Sequence, residues 1–371
     1  MKVVVIGRQN ALASYATKWD YLPSDIDLTI ITPPSLKQTL QDLPAERSRR
    51  WPHVFVRAWM TDRLSPFGFE PFSLWRQLRR LRPELIHVDE EPPSFVLLEL
   101  LVLKKVICCH RLAFVTWENV RMPYLLPFAM IRRLTLRQAN AAIAGNSEAA
   151  DILRADGFQK PIGVFPLTAT DTTRFVPARS DDLRRTLHLD DFTVGYVGRL
   201  VPEKGVVSLL QALSQLSGDW QGLIVGRGPQ KSELQVIALQ LGIAERLRWV
   251  DTVAYQDTPQ YYNAMDVCVL PSLTAPRWKE QFGRVLAEAM ACEVPVVGSD
   301  SGSIPEVIGD SGFIFPEGDS TALAQRLSRL QHDAALRRML GQRGRQRVLD
   351  NYSNERIAER VVAFWREVSA R

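Results

Sequence analysis

Metal and disulfide chemistry have little to work with in this sequence. Its 371 residues include four cysteines and five histidines. Cys108 and Cys109 adjoin in an apolar run, Cys268 and Cys292 stand apart, and no Cys-x-x-Cys spacing occurs. That pattern argues against a zinc site or a disulfide framework and points to buried, reduced thiols of a cytosolic protein. Long apolar runs are missing as well. The two most apolar stretches, 95–103 and 124–131, fall well short of the roughly 20 residues that cross a bilayer. The first residues, Met1-Lys-Val-Val-Val-Ile-Gly7, have neither the charged region nor the cleavage site of a signal peptide. Gly-x-Gly-x-x-Gly is absent from the first strand-to-helix turn, which disfavours a nicotinamide-dependent oxidoreductase. No RNA-recognition aromatic motif or basic helix-turn-helix is present, so nucleic acid is not an expected partner.

What the sequence does hold is ordinary globular material, 46% hydrophobic and 23% charged. A chain of this length exceeds the roughly 250–300 residues that one core supports. Two domains are expected, over 1–175 and 176–350. A final helix over 351–371 either covers its own domain or crosses back to the first. The net charge of +5 is unevenly spread. The first 180 residues carry 24 Lys+Arg against 17 Asp+Glu, and the rest carry 22 against 24. The positive excess therefore belongs to the first half and favours an acidic or membrane-surface partner for it.

Short β-branched runs alternate with helical periodicity. Segments 3–6, 27–31, 53–56, 85–88, 106–109, 141–144 and 162–165 read as strands, apolar on both faces as in a buried parallel sheet. Helices are expected at 73–81, 94–104, 124–137 and 147–155. A polar, threonine-rich stretch from 166 to 189 reads as a linker. The pattern then restarts, with strands at 193–197, 220–225, 247–250, 267–270, 294–297 and 312–315. Helices follow at 204–216, 229–241, 256–264 and 283–291, and a Gly341–Gly344 turn precedes the last helix. The fold class is α/β: two Rossmann-like, doubly wound parallel sheets facing one another across a cleft.

Two segments carry the chemistry. Gly195-Tyr-Val-Gly198-Arg199-Leu-Val-Pro-Glu203-Lys204-Gly205 puts two cations at a strand's carboxyl end, just ahead of a helix N-terminus. That is an anion site suited to a diphosphate, or a solvated loop with incidental charges. Trp278-Lys-Glu280-Gln-Phe282-Gly283-Arg284-Val-Leu-Ala-Glu288 puts one glutamate ahead of a helix and another in its second turn. Carboxylates so placed accept hydrogen bonds from sugar or ribose hydroxyls. Alternatively, Glu280 complements the helix dipole and Glu288 is an exposed charge.

In order along the chain, these segments join Val225-Gly226-Arg-Gly228-Pro229 and Pro295-Val-Val-Gly-Ser-Asp300-Ser-Gly302-Ser-Ile-Pro305-Glu306. The set resembles the retaining nucleotide-sugar glycosyltransferases of family 4, which have the GT-B fold and include enzymes of cell-wall and polysaccharide biosynthesis. The resemblance covers about 193–350. It implies a hexosyltransferase using a UDP- or GDP-linked sugar, with no metal and no other cofactor. Arg199, Lys204 and Glu280 would be catalytic. Gly198, Gly226, Phe282, Gly283, Arg284 and Glu288 would line the donor site, and Val250 and Thr252 would border the base. A non-catalytic nucleotide-sugar binder is the other reading of the same residues.

The first half departs from the usual family pattern. Gly7-Arg8-Gln9-Asn10 replaces a Gly-Gly loop, His87 lies inside its strand, and Pro166-Leu-Thr-Ala-Thr-Asp171 alters the usual junction. His87 reads as a core histidine. Asp89, Glu90 and Glu91 follow that strand, and Thr116-Trp117-Glu118-Asn119 follows another. Asp89, Glu90, Trp117 and Glu118 are the acceptor-side candidates, with a glycan or lipid-linked acceptor in view; the plainer reading is that the carboxylates cap the next helix. Basic clusters at Arg47/Arg49/Arg50, Arg76/Arg79/Arg80/Arg82, Lys104/Lys105 and Arg132/Arg133/Arg137 lie near apolar side chains. They are either solvated helix faces or a peripheral contact with the anionic face of the cytoplasmic membrane.

Overall fold

The computed structural model describes residues 1–38, 41–48, 50–63, 65–107, 109 and 111–370. Cys108 and Arg49 lie outside the described residues. The chain divides into two compact units, one of Met1–Ala169 with Asn354–Arg371 and the other of Thr170–Ser353. The first boundary thus falls a little ahead of the expected 175/176.

The first unit is built on a seven-stranded parallel sheet. Its strands in chain order are β1 (Lys2–Ile6), β2 (Asp27–Thr32), β3 (His53–Phe55), β4 (Leu85–Val88), β5 (Arg111–Thr116), β6 (Ala141–Ala144) and β7 (Ile162–Val164). Their spatial order is β7-β6-β5-β4-β1-β2-β3. Val3, Val4, Val5 and Ile6 are all fully buried, as required of a central strand covered on both faces. Its longer helices are α1 (Pro71–Leu81), α2 (Phe95–Val106), α3 (Phe128–Gln138) and α4 (Ser147–Ala155).

The second unit repeats the plan with six parallel strands, β8 (Phe192–Val197), β9 (Trp220–Val225), β10 (Leu247–Val250), β11 (Val267–Leu270), β12 (Val296–Ser299) and β13 (Gly312–Phe315). They lie in the order β10-β9-β8-β11-β12-β13. Helices α5 (Val206–Leu213), α6 (Lys231–Gln240), α7 (Arg284–Ala291), α8 (Ser320–His332) and α9 (Ala334–Asn351) cover it. In both sheets the strand order reverses beside the first strand, between β1 and β4 and between β8 and β11. Such switch points are where doubly wound sheets bind ligands, outside the strands' carboxyl ends.

The last helix, α10 (Asn354–Ala370), belongs to the first unit. Ile357, Val361, Trp365 and Val368 recur at helical spacing and are buried. Trp365 stacks on Trp19, with ring centroids 5.7 Å apart, and donates its indole N–H to His87 Nδ1 at 3.0 Å. His87 is a core residue: burial pushes its pKa down to about 3, with Lys18 adding to the fall, so it stays a neutral acceptor.

Three expected elements differ. Of the strand expected at 106–109, Val106 is instead the exposed last residue of α2, and Ile107 caps that helix with its N–H bonded back to Leu103; Cys108 lies outside the described residues. β-branched residues at a helix end imitate a strand there, and the real strand is Arg111–Thr116. The helix expected from 124 begins only at Phe128, because Pro127, with no N–H to donate, sits at its N-cap. Gly341 and Gly344 make no turn. They lie inside α9, where a Cβ would sit 2.1 Å from Glu293 O or 2.9 Å from Met290 Cγ, so glycine lets that helix approach its neighbours closely.

Candidate functional site

In the second unit, β8 and β11 are paired only at Val194/Val267 and Gly195/Cys268. The loop leaving β8 runs through the short turn Pro202–Lys204 to Gly205, which caps α5 with φ 64°. A Cβ on Gly205 would fall 1.9 Å from Pro271 O at the exit of β11. Only glycine meets both demands, the positive φ and the close approach. That contact brings Lys204 to the loop after β11. Its ammonium pairs with the Glu280 carboxylate and lies 4.8 Å from the centre of the Trp278 ring.

Glu280 is held from several directions. It is buried, and its Oε2 also accepts from Ser272 Oγ at 2.9 Å. Ser272 O in turn accepts from Ser299 Oγ at the end of β12. The Glu280 carbonyl accepts from Ser303 N–H at 2.9 Å, and a Cβ on Gly302 would meet that carbonyl at 2.2 Å. Three residues on, Gly283 caps α7 with φ 74°. Two helix N-termini, each entered through a left-handed glycine, therefore flank one lysine–glutamate pair.

Within α7, Glu288 is buried rather than an exposed charge. It accepts from Tyr262 O–H at 2.8 Å and pairs with Arg284 Nε at 3.2 Å. Burial raises its pKa, against the pull of Arg284 and Tyr262. Arg284 also lies over the Tyr255 ring at 5.5 Å. Phe282 is buried against Tyr352. On the other side of β8, a Cβ on Gly226 would lie 1.8 Å from Gly198 O, so the loops after β8 and β9 touch through backbone. Val250 ends β10 and Thr252 is exposed in the loop beyond it. Arg199 is exposed, its guanidinium 3.7 Å from Glu203 Oε1 and its carbonyl accepting from Tyr196 O–H at 2.7 Å; among the described residues no ion pair joins it to Lys204 or Glu280. Ser272, Trp278 and Tyr262 are the side chains that sequence spacing missed.

The corresponding place in the first unit is acidic and closed. β1 and β4 stay paired to Ile6/Val88, and a Cβ on Gly7 would meet Asp89 Cβ at 2.8 Å. Asp89 accepts from Asn10 Nδ2 at 3.1 Å. Burial raises its pKa, offset by Lys18, and burial lowers the fully buried Lys18 to about 8. Glu90 accepts from Arg8 N–H at 3.0 Å and pairs with Arg8 Nε at 3.6 Å. Glu91 accepts from Thr116 Oγ1 at 2.7 Å and Trp117 N–H at 2.8 Å. Burial pushes both glutamates up to about 7. None of the three caps α2; Ser94 does, accepting from Leu97 N–H. Glu118, also buried, accepts from Met122 N–H at 3.3 Å and lies 3.6 Å from Arg132 Nε. The Trp117 ring packs on Gly145, where a Cβ would be 2.2 Å from it.

The four basic clusters have different fates. Arg50 lies over Trp51 and Arg79 over Trp75. Lys104 is tied to Gln138 O and Asn140. Arg133 and Arg137 are exposed and have no carboxylate partner among the described residues. No described helix is long and apolar enough to cross a membrane. Cys109, Cys268 and Cys292 are buried free thiols.

Comparison with known proteins divides at the same place. Residues 179–347 match the family described as glycosyl transferases group 1, and 20–168 match glycosyltransferase family 4. The chain is 32% identical over 193 residues to the capsular polysaccharide biosynthesis glycosyltransferase CapM of Staphylococcus aureus, covering 47% of this chain and 46% of that one. It is 33% identical over 205 residues to the GDP-mannose-dependent monoacylated alpha-(1-6)-phosphatidylinositol monomannoside mannosyltransferase of Corynebacterium glutamicum, covering 52% and 53%. The matched regions span about half the length of these curated relatives. Among solved structures, Anabaena HepE in complex with UDP and glucose superposes over 99% of this chain and 100% of its own, with TM-score 0.75 and 19% identity. The two doubly wound sheets are those of the GT-B fold.

Proposed function

Since this chain belongs to the group 1 glycosyltransferases, with a family 4 first half, we propose that it moves a hexose from a UDP- or GDP-linked sugar to a glycan or lipid-linked acceptor. One observation carries the reading. At the switch point of the second sheet, Lys204 and Glu280 meet between two helix N-termini that open through Gly205 and Gly283.

The chemistry follows from that arrangement. The bond between the sugar's anomeric carbon and the diphosphate breaks, and negative charge gathers on the departing phosphate. A cation fixed beforehand at that spot lowers the barrier most directly. Lys204 is that cation, kept in place by Glu280 until the diphosphate takes it. Arg199, unburied and weakly paired, is free to fold in as a second. Glu280, buried beside Lys204 and Ser272, is placed to accept from donor-sugar hydroxyls, and Glu288 from the ribose. Gly198, Gly226, Phe282, Gly283 and Arg284 line the donor, and Val250 and Thr252 border its base. The acceptor oxygen bonds to the anomeric carbon, and its proton leaves with the phosphate or solvent. Retention of configuration is the family's outcome and the one proposed here. Asp89, Glu90, Trp117 and Glu118 remain the acceptor-side candidates. The reaction needs no metal under this reading, and the protein works in the cytoplasm, peripheral to an anionic membrane face.

The test is a thermal-shift and donor-hydrolysis panel. UDP or GDP should stabilise the protein, NAD and oligonucleotides should not, and hydrolysis should survive EDTA. A response to NAD alone, or full turnover by Lys204→Ala, would overturn the proposal.

A further inference from the structure

The first unit carries a second feature, away from its acidic switch point. A groove of about 630 Å³ runs along one face of α3. Ala129, Arg132, Arg133, Leu136 and Arg137 line it, spaced as residues that share a helix face. The opposite face is committed to the core, with Ile131 and Thr135 fully buried. The groove's far wall is the 118–124 loop and the end of α4.

Its charges are arranged rather than scattered. Arg132 is clamped by Asp156 and faces Glu118 Oε2 at 3.6 Å, which is too long for a hydrogen bond. Arg121 pairs with Asp156 at 3.1 Å. That leaves four guanidinium groups against two carboxylates, with Arg133 and Arg137 exposed and unmatched by any described carboxylate. Planar forks of this kind recognise phosphate by paired, charge-assisted hydrogen bonds.

The chain between two of its lining residues, Tyr124 and Ala129, and the residue just after them are the opposite in character. Leu125 and Leu126 are 81% and 78% exposed, and Met130 is 51% exposed. They sit between Pro123 and Pro127 and the first turn of α3. Two neighbouring leucines held out in water beside an arginine groove match a ligand with a charged head and an apolar tail.

We propose that this groove binds the phosphate head of an amphiphile of the lipid-diphosphate class, whose first tail carbons lie on Leu125, Leu126 and Met130. The inference rests on the transferase reading, for which it names the acceptor's carrier. It concerns residues that play no part in the donor chemistry.

Titration calorimetry with farnesyl diphosphate, inorganic pyrophosphate and farnesol, below the micelle concentration and with UDP saturating, is the test. Farnesyl diphosphate should bind at least about 10-fold tighter than pyrophosphate, and farnesol should not bind detectably. Arg133→Gln with Arg137→Gln should weaken both phosphates about 10-fold. Leu125→Ser with Leu126→Ser should weaken farnesyl diphosphate alone by about 10-fold. All four positions are exposed, so melting temperatures should hold. Equal affinity for farnesyl diphosphate and pyrophosphate would make this a free-phosphate site and overturn the proposal. So would unchanged binding by both double variants, or self-association through Leu125 and Leu126 that farnesyl diphosphate does not relieve. Pyrophosphate binding lost in Lys204→Ala belongs to the donor side and is subtracted. If donor hydrolysis fails while these titrations succeed, the transferase reading falls and the groove stands; the reverse result separates them equally well.

Discussion

The two sheets of this molecule share a strand order and differ in what they put at its reversal. Beside β8 and β11, pairing stops early, glycines at positive φ bring two loops together, and a lysine is held by one glutamate. Beside β1 and β4, pairing runs to the strand ends; Asp89 and Glu90 are buried among Arg8, Asn10 and Lys18, and Glu91 is held by Thr116 and Trp117. One position holds a single lysine–glutamate pair between two helix N-termini; the other holds its carboxylates on several side-chain and backbone donors at once. The topology supplies the place, and side chains alone decide what charge stands there.

Four experiments would break or sharpen that comparison. The largest effect is expected from Trp365→Ala, which empties a fully buried ring site between Trp19 and His87. A loss of about 3–5 kcal/mol is expected for such a truncation, seen as faster hydrogen exchange across the first unit with the second protected. Equal loss in both would dissolve the division. Lys204→Ala should come next, lowering donor turnover by roughly 10²–10³-fold, the loss typical of one preorganised charge, with some fall in melting temperature because buried Glu280 loses its cation. Gly205→Ala should cost about 1–3 kcal/mol, as strain at a positive φ does, and should slow turnover as well, because Pro271 and the Lys204 loop would separate; wild-type kinetics would show that the close approach is dispensable.

The smallest effect concerns the acidic side. With native pKa values raised to about 7, Glu90 and Glu91 hold their protons after the unfolded chain has lost its own. Their contribution to stability is complete below pH 4.5, falls as pH rises and is gone above about 7, by up to about 1.4 kcal/mol per pH unit per group. Glu91→Gln keeps the contacts to Thr116 and Trp117, since a hydroxyl can donate or accept. It should therefore flatten the pH 5-to-8 decline by on the order of 1 kcal/mol in denaturant titrations. An unchanged slope would mean that Glu91 is ionised in the native state.

Much of the fold was legible because β-branched runs and helical periodicity report burial directly. Legibility failed where one residue type serves two purposes. Val106 and Ile107 look like a strand while ending a helix, and Gly341 and Gly344 look like a turn while thinning a helix face. On the donor side, Lys204, Gly205, Glu280 and Gly283 stood out because one short stretch carries each pair. Ser272 and Tyr262 did not, since tertiary packing and not spacing delivers them, and Trp278 stands in the quoted stretch without a pattern of its own. The acidic run was visible as carboxylates at a strand end. Its partners Arg8, Asn10 and Lys18 lie some 70–80 residues earlier, beyond what a local pattern encodes.

Thr170 and Ser353 bridge one another, and Thr170 N–H donates to Tyr352 O at 2.8 Å. The chain thus enters and leaves the second unit at one seam, making that unit an uninterrupted piece inserted into the first. On the ribosome the order of events follows. Trp19 and His87 are translated early, yet the helix that covers them is made only after all of 170–353. At about 5–20 residues per second, the first unit spends on the order of ten seconds or more with that aromatic site uncovered. The second unit can meanwhile complete itself. A chaperone that holds exposed apolar surface would find its target in the older half of the nascent chain, and a gene rearranged to place 354–370 ahead of residue 1 would remove the wait.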